Sequence, residues 1–333
     1  MINLLPNEIL ELIIENVFDN KPLFIKNKDN MLENYENLQK VNKKFKDISK
    51  NVLNNLINHN IFIKGKSPTM NLRCVNIKIQ YLGILKDILG IQNNVINLNI
   101  SNCYLEEIPK LPETILILDV SKNKLKTLKN MPPNLMSLNC SHNRIISFEG
   151  SPENIKYDFD CSHNQITSFK NCPQNIQHIF DCSYNYITSF ENCPQNIQHS
   201  FNCSNNQITS FKGCPQNIQH TFYCEKNQIT SFKGCPQNIQ HTFICSDNII
   251  TSFKDCPQNI QHTFLSDNNK IISLKGCPQN IQHTFDCSSN QITSFKECPQ
   301  YIQHSFGCQG NKIVNLEYCP VNLINKMKEQ LGL

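Results

Sequence analysis

One phrase recurs through most of this chain: N-Q-I-T-S-F-K-G-C-P-Q-N-I-Q-H-T-F-x-C-S. The segment C-P-Q-N-I-Q-H occurs six times unaltered between Cys172 and His283, and once more from Cys298 to His304 with Tyr301 in place of Asn. The step is 21 residues. A chain that repeats at a fixed period of this size has few folds open to it. One unit is too short to bury an apolar face alone, so units must stack and build their core between neighbours. The product is a solenoid with a long surface, and such surfaces generally serve to bind.

The units align on one asparagine: Asn123, Asn143, Asn164, Asn185, Asn206, Asn227, Asn248, Asn269, Asn290 and Asn311, with Cys103 in the same place one unit earlier. The spacing is 20 residues twice and 21 thereafter. Around the Asn the pattern is L-x-x-L-x-[CV]-S-x-N-x-[LI]-x-x-[LF], clearest in I-L-I-L-D-V-S-K-N-K-L and L-M-S-L-N-C-S-H-N-R-I. This resembles the leucine-rich repeat. The short period and the prolines before the units (Pro112, Pro133, Pro152, Pro173) are similar to the short bacterial-type class. The resemblance implies an α/β solenoid, a right-handed stack of coils with a parallel sheet on its concave face. Each Asn is expected to turn inward and bond the backbone of its own and adjacent coils. The added residue lies between Ile155 and Phe159 and is expected to bulge the approach to each strand. Two aromatic columns should fill the core: Phe148 to Phe295, interrupted by Leu274, and Phe159 to Phe306.

The chain has 18 cysteines, sixteen of them in two columns of the repeat. One column runs from Cys140 to Cys308, with Ser266 standing in one coil; the other runs from Cys172 to Cys319. A disulfide partner would be lost at Ser266, whereas a small buried residue is simply exchanged for another. Free Cys behaves as a small hydrophobe, so we read these as core thiols. The seven histidines from His178 to His304 stand four residues before the strand Cys position. A zinc site needs four converging ligands and appears once; a column copied coil after coil follows from the repeat alone. No catalytic triad, phosphate loop or paired carboxylates stand out, and no cofactor or metal is expected. The expectation is a non-enzyme.

The first hundred residues differ. Residues 1–50 have a helical pattern, 51–97 join them to the solenoid as linker and N-terminal cap, 98–320 hold the repeats, and 321–333 read as a C-terminal cap. Ile61, Ile63, Val75, Ile77 and Ile79 suggest first strands. L-P-N-E-I-L-E-L-I followed by L-x-x-V-N-K-K-F-K-D-I resembles the F-box, a small all-helical module. The resemblance rests on Leu5, Pro6, Glu8, Ile9, Leu12, Ile13, Val41 and Phe45, with a connection from Phe18 to Glu36 about ten residues longer than usual. It implies docking on the Skp-family adaptor of a cullin-RING ubiquitin ligase through Leu5, Pro6, Ile9, Leu12, Ile13, Val41 and Phe45. The alternative reading is a helical cap, which a solenoid needs. Asn-rich chains of this arrangement resemble those encoded by large DNA viruses of amoebae, which implies a host cytosol.

A formal net charge of +4, from 31 basic and 27 acidic residues spread along the chain, does not suggest nucleic acid. No apolar run approaches the length of a membrane span. Glu8, Glu11 and Glu15 interrupt what a signal peptide would need as apolar. A cytoplasmic monomer is the expectation. Its target face is sought where the copies differ. The residue after the strand Phe reads Asp160, Asp181, Asn202, Tyr223, Ile244, Leu265, Asp286 and Gly307. The residue before the ladder Asn reads His163, Tyr184, Asn205, Lys226, Asp247, Asn268, Ser289 and Gly310. Both positions are expected on the outward, concave face. Asp181, Tyr184, Asn202, Tyr223, Lys226, Ile244, Asp247, Leu265 and Asp286 are therefore the candidate target-binding residues, centred on an apolar stripe of Tyr223, Ile244 and Leu265.

Overall fold

The computed structural model describes residues 69–71 and 96–331, except 103, 104, 109, 112 and 300. The F-box-like segment with Leu5, Pro6, Ile9, Leu12, Ile13, Val41 and Phe45 lies outside the described residues, as do Ile61, Ile63, Val75, Ile77, Ile79, Cys103 and Pro112.

The repeat folds as a parallel β-solenoid. One 12-stranded sheet takes one strand from each coil, beginning with β1 (Thr69–Asn71), β2 (Asn97–Asn99), β3 (Ile117–Asp119) and β4 (Ser137–Asn139), and ending at Ser305–Gly307. Every pairing is parallel and in register, so identical columns meet: Phe201 lies opposite Phe222, and Phe243 opposite Phe264. The sheet extends one strand before the recognisable repeat, with Thr69–Asn71 paired to Asn97–Asn99.

From residue 154 onward each coil adds a two-residue strand just before the main one. These N-I pairs form ladders of their own, such as Asn217–Ile218 with Asn238–Ile239 and Asn259–Ile260. The additional residue of the 21-residue coils falls between the two ladders. The histidine that follows resumes the pairing: the N–H of His220, His241, His262, His283 and His304 donates to the preceding coil's histidine carbonyl at 3.0–3.1 Å.

The core is a herringbone of rings. Strand phenylalanines stack coil on coil at 5.4–5.6 Å between centroids, as in Phe180–Phe201 and Phe201–Phe222. The second column stacks at 6.1–6.3 Å and meets the first edge-on, as Phe211 meets Phe222 at 6.0 Å. Both offset-stacked and edge-on geometries suit the ring quadrupole. Leu274 interrupts the second column and remains fully packed at 1% exposure.

The ladder asparagines close the polar side of each coil. Asn185 Nδ2 donates to the carbonyls of Cys182, Ser183 and, one coil back, Cys161, each at 3.1 Å; its Oδ1 accepts the N–H of Ile166 at 2.9 Å. The same set recurs from Asn123 to Asn290, and Asn311 bonds Ile292, Cys287 and Cys308. One side chain thus satisfies several backbone groups that would each cost about 1–3 kcal/mol if buried unpaired. At the far end, a helix α1 (Ile324–Leu331) covers the last coil: Met327 is fully buried, its sulfur 3.2 Å from that of Cys308.

Candidate functional site

Each strand sends its central residue into the core and the next one to the open face of the sheet. That next residue forms a continuous column: Asn99, Asp119, Asn139, Asp160, Asp181, Asn202, Tyr223, Ile244, Leu265, Asp286 and Gly307. Seven of these are Asp or Asn, and each performs the same local task. Its Oδ1 accepts the backbone N–H of the residue two further on, a serine in every case, at 2.8–3.1 Å. This is an Asx turn closing the strand end. Burial raises the Asp181 carboxyl above the usual range despite the bonds from Ser183. The predicted site residues Asp181, Asn202 and Asp286 therefore carry a structural bond. The spacing D-C-S or N-C-S was the sequence signal for it.

Three consecutive coils depart from this rule, as does the last with Gly307. Tyr223, Ile244 and Leu265 lie in register on adjacent strands, each half-buried, and none can accept the turn hydrogen bond. In two of these coils the serine is also replaced, by Glu225 and Asp267. Each carboxylate reaches back one coil: Glu225 to the Ser204 hydroxyl, Asp267 to that of Ser246. Burial lifts both carboxyls above their ordinary range. Glu225 Oε2 is buried without a partner. An apolar stripe flanked by raised carboxylates thus replaces the polar ladder of the rest of the sheet.

The other predicted column sits on the turn beyond the strand end. Tyr184, Lys226 and Asp247 occupy the left-handed region with φ of 52°. Their column begins with Asn102, Lys122, His142 and His163, and the rings of His142, His163 and Tyr184 stack at 4.1 Å. Tyr184 and Lys226 are exposed, and Asn268 Nδ2 donates to Asp247 across adjacent coils. The open-face stripe and the turn column are neighbours along one edge.

The histidine column lies at the opposite strand end. Imidazoles stack at 4.3–4.4 Å from His199 to His304, while His178 pairs with Asp158 at 2.7 Å. Each Nδ1 from His199 to His283 lies 2.8–2.9 Å from the hydroxyl of the following residue. Desolvation, and then the neighbouring imidazole, lowers the affinity of His199, His220, His241 and His283 for a proton. Among the described residues no three His, Cys, Asp or Glu side chains converge as metal ligands would. The described cysteines form no disulfide and are buried. Burial pushes their thiols up, Cys277 to about 12, the opposite of what a nucleophile requires. Cys182, Cys203 and Cys245 donate to the next coil's carbonyl at 3.4–3.5 Å, and Ser266 makes the same bond at 3.2 Å.

No family model matches this sequence, and no curated relative does. Solved structures do match, and they are leucine-rich repeat proteins. The leucine-rich repeat domain of APL1B aligns at a TM-score of 0.55 with 14% identity, over 74% of this chain and 77% of that one. Internalin InlF of Listeria monocytogenes aligns at 0.52 with 14% identity, over 75% and 83%. The functional domain of InlJ from the same organism, described as including a cysteine ladder, aligns at 0.53 with 19% identity, over 74% and 56%. This chain spans 58% of the APL1 leucine-rich repeat domain. The fold is that of the leucine-rich repeat solenoids. No helix among the described residues is long and apolar enough to cross a membrane.

Proposed function

We propose that this chain is a substrate-recruiting adaptor. Its open sheet face holds a target protein at Tyr223, Ile244 and Leu265, and its F-box-like start docks on the Skp-family subunit of a cullin-RING ubiquitin ligase. The observation that carries the target half is the break in the Asx ladder at three consecutive coils. A repeat that otherwise copies itself gives up a turn hydrogen bond there and exposes half-buried apolar side chains instead. Departures from a local rule of this kind concentrate at functional sites. The ligase half rests on the sequence resemblance at Leu5, Pro6, Ile9, Leu12, Ile13, Val41 and Phe45. The reading is of a scaffold without catalysis or cofactor.

A stand-alone interaction scaffold is the second reading. The pairing of Thr69–Asn71 with the first repeat strand favours it, since the stack extends into the segment before residue 98 and its end needs a cover. Titrating purified full-length chain with the Skp-family adaptor separates the two. The adaptor reading expects binding that is lost on combining Leu5→Asp, Ile9→Asp and Ile13→Asp while the solenoid keeps its melting transition. Absence of binding by the folded wild-type chain leaves the scaffold alone. Ile244→Asp tests the face itself, because it rebuilds the D-C-S turn of the neighbouring coils. It should leave stability and adaptor binding intact and abolish target retention.

A further inference from the structure

A second surface lies on the turn edge, some four coils before the apolar stripe. A cavity of about 390 Å³ opens there, lined by Lys122, Lys124, His142, Arg144 and His163 together with the ladder residues Asn123 and Asn143. The backbone forces this convergence. Lys122, His142 and His163 occupy equivalent left-handed turn positions with φ of 56°, 54° and 53°, so their side chains project in parallel, one coil apart. Lys124 and Arg144 repeat the arrangement two residues on. The two imidazoles stack at 4.1 Å with their planes 10° apart.

The charges in this cleft repel one another. Among the described residues, neither Lys122 nor Arg144 has a carboxylate within ion-pair distance; the ion pairs present are Lys129–Glu149 and His178–Asp158. Asp160 is the acid that acts on His142, and its Oδ1 is already bonded to Ser162. Desolvation is the largest influence lowering the proton affinity of His142, followed by His163 and Lys122. The backbone donors of Lys122 and Lys124 are spent on the carbonyls of Ser141 and Leu105. The asparagine amides belong to the ladder. What faces the cavity is therefore the Lys122 ammonium, the Arg144 guanidinium and two imidazoles, with Lys124 also in its lining. Farther along the same turn column, Lys226 stands beside Glu225 and Asp247 supplies negative charge, so the concentration of one sign is peculiar to the first coils.

We propose that this cleft is an anion site for a phosphoryl group. A guanidinium offers a planar pair of donors to two phosphoryl oxygens, and lysines add point charge. A dianion relieves more of the mutual repulsion than a single carboxylate does. Each neutral imidazole offers one N–H, and protonation turns its second ring nitrogen into a donor as well. The site is separate from the apolar stripe and does not depend on it.

The test is histidine-resolved NMR of the full chain, titrated with inorganic phosphate at constant ionic strength, against chloride as reference. A phosphoserine peptide forms a second arm. The expected result is that His142 and His163 resonances shift and the His142 titration midpoint rises by about 1 unit. His220 and His241, in the distant ladder, should stay unmoved. The response should vanish in Lys122→Gln/Arg144→Gln, whose unchanged His220 and His241 signals report an intact fold. Response to free phosphate and peptide alike identifies the phosphoryl group itself; response to the peptide alone places the ligand on a protein. Silence of His142 in both arms, or equal movement of all histidines, overturns the proposal.

Discussion

The first coils and the later ones solve the same packing problem at two sizes. Between residues 98 and 138 the strand position is Leu98, Leu118 and Leu138, and the coil takes 20 residues. From Phe159 onward the strand position is Phe and the coil takes 21. The second column turns aromatic one step earlier, at Phe148, inside a 20-residue coil. The added residue therefore accompanies the strand ring and not the ring behind it. A phenyl group directed inward from the strand needs a wider cross-section, and the chain obtains it by lengthening the run from the proline to the strand. That lengthening creates the N-I ladder and a junction position filled by Tyr157 in the first wide coil and by histidine from His178 onward. The position of the histidine column thus follows from core size, and its identity is copied with the repeat.

The strongest way to break this comparison is to empty one ring from the wide coils. Phe232 touches four other rings: Phe211 and Phe253 stacked, Phe243 and Phe264 edge-on. Phe232→Ala should cost about 3–5 kcal/mol, read as a lowered urea midpoint. Phe232→Leu should cost distinctly less, because Leu274 already fills the equivalent site. Equal losses for the two would show that the herringbone, and not core volume, holds the later coils.

A pH titration sharpens the same contrast. Four ladder histidines have folded-state proton affinities depressed below the ordinary 6.5. The unfolded chain then binds protons more readily, so stability is fully present above about 6.5 and declines as pH falls towards the lowered folded values. Hydrogen exchange, corrected for intrinsic rates, should show protection falling in coils 196–286 as pH drops below about 6.5, opposed at lower pH by the raised carboxyls of Glu225 and Asp267, while the 20-residue coils around Leu98–Val120 hold theirs. His220→Gln/His241→Gln should flatten the slope. Uniform loss of protection along the chain would place the acid sensitivity elsewhere.

Much of the architecture was legible because periodicity reports it. The parallel sheet follows from one strand per copy, and the Asn and Phe columns fall at a fixed step with identities that leave little choice. Other features were hidden for physical reasons. A two-residue ladder such as Asn217–Ile218 is too short to show an alternating pattern. The turn column also escaped reading as a turn. His163, Tyr184 and Lys226 adopt a conformation usually marked by Gly or Asn, held there by the ladder asparagine that follows each of them. Their side chains consequently leave from the strand end and not from the open face. The structural use of Asp181 and Asn202 was visible in D-C-S and N-C-S, but a variable column reads first as a binding surface. The candidate stripe gains from that correction, since Tyr223, Ile244 and Leu265 lie in consecutive coils released from the turn bond and bring apolar side chains in its place.

The smallest expected effect concerns the column that looks most chemical. The position after the open-face residue is Ile100, Val120 and Cys140 in the narrow coils, Cys161 to Cys308 in the wide ones, and Ser266 in one of them. Every member is at or near 0% exposed. If the thiols serve as small core groups with a weak donor, Cys245→Ser should change stability by no more than about 1 kcal/mol, because the buried hydroxyl keeps a hydrogen bond. The hydroxyl can take over the bond to the Leu265 carbonyl, just as Ser266 bonds that of Asp286. Cys245→Val, which imports the narrow-coil residue beside the stacked rings, should cost more, about 1–3 kcal/mol from overpacking. A loss on Cys245→Ser as large as on Cys245→Val would mean that sulfur itself contributes to the wide coils. Thermal melts of the two variants under reducing conditions decide between a steric role and a chemical one for the whole column.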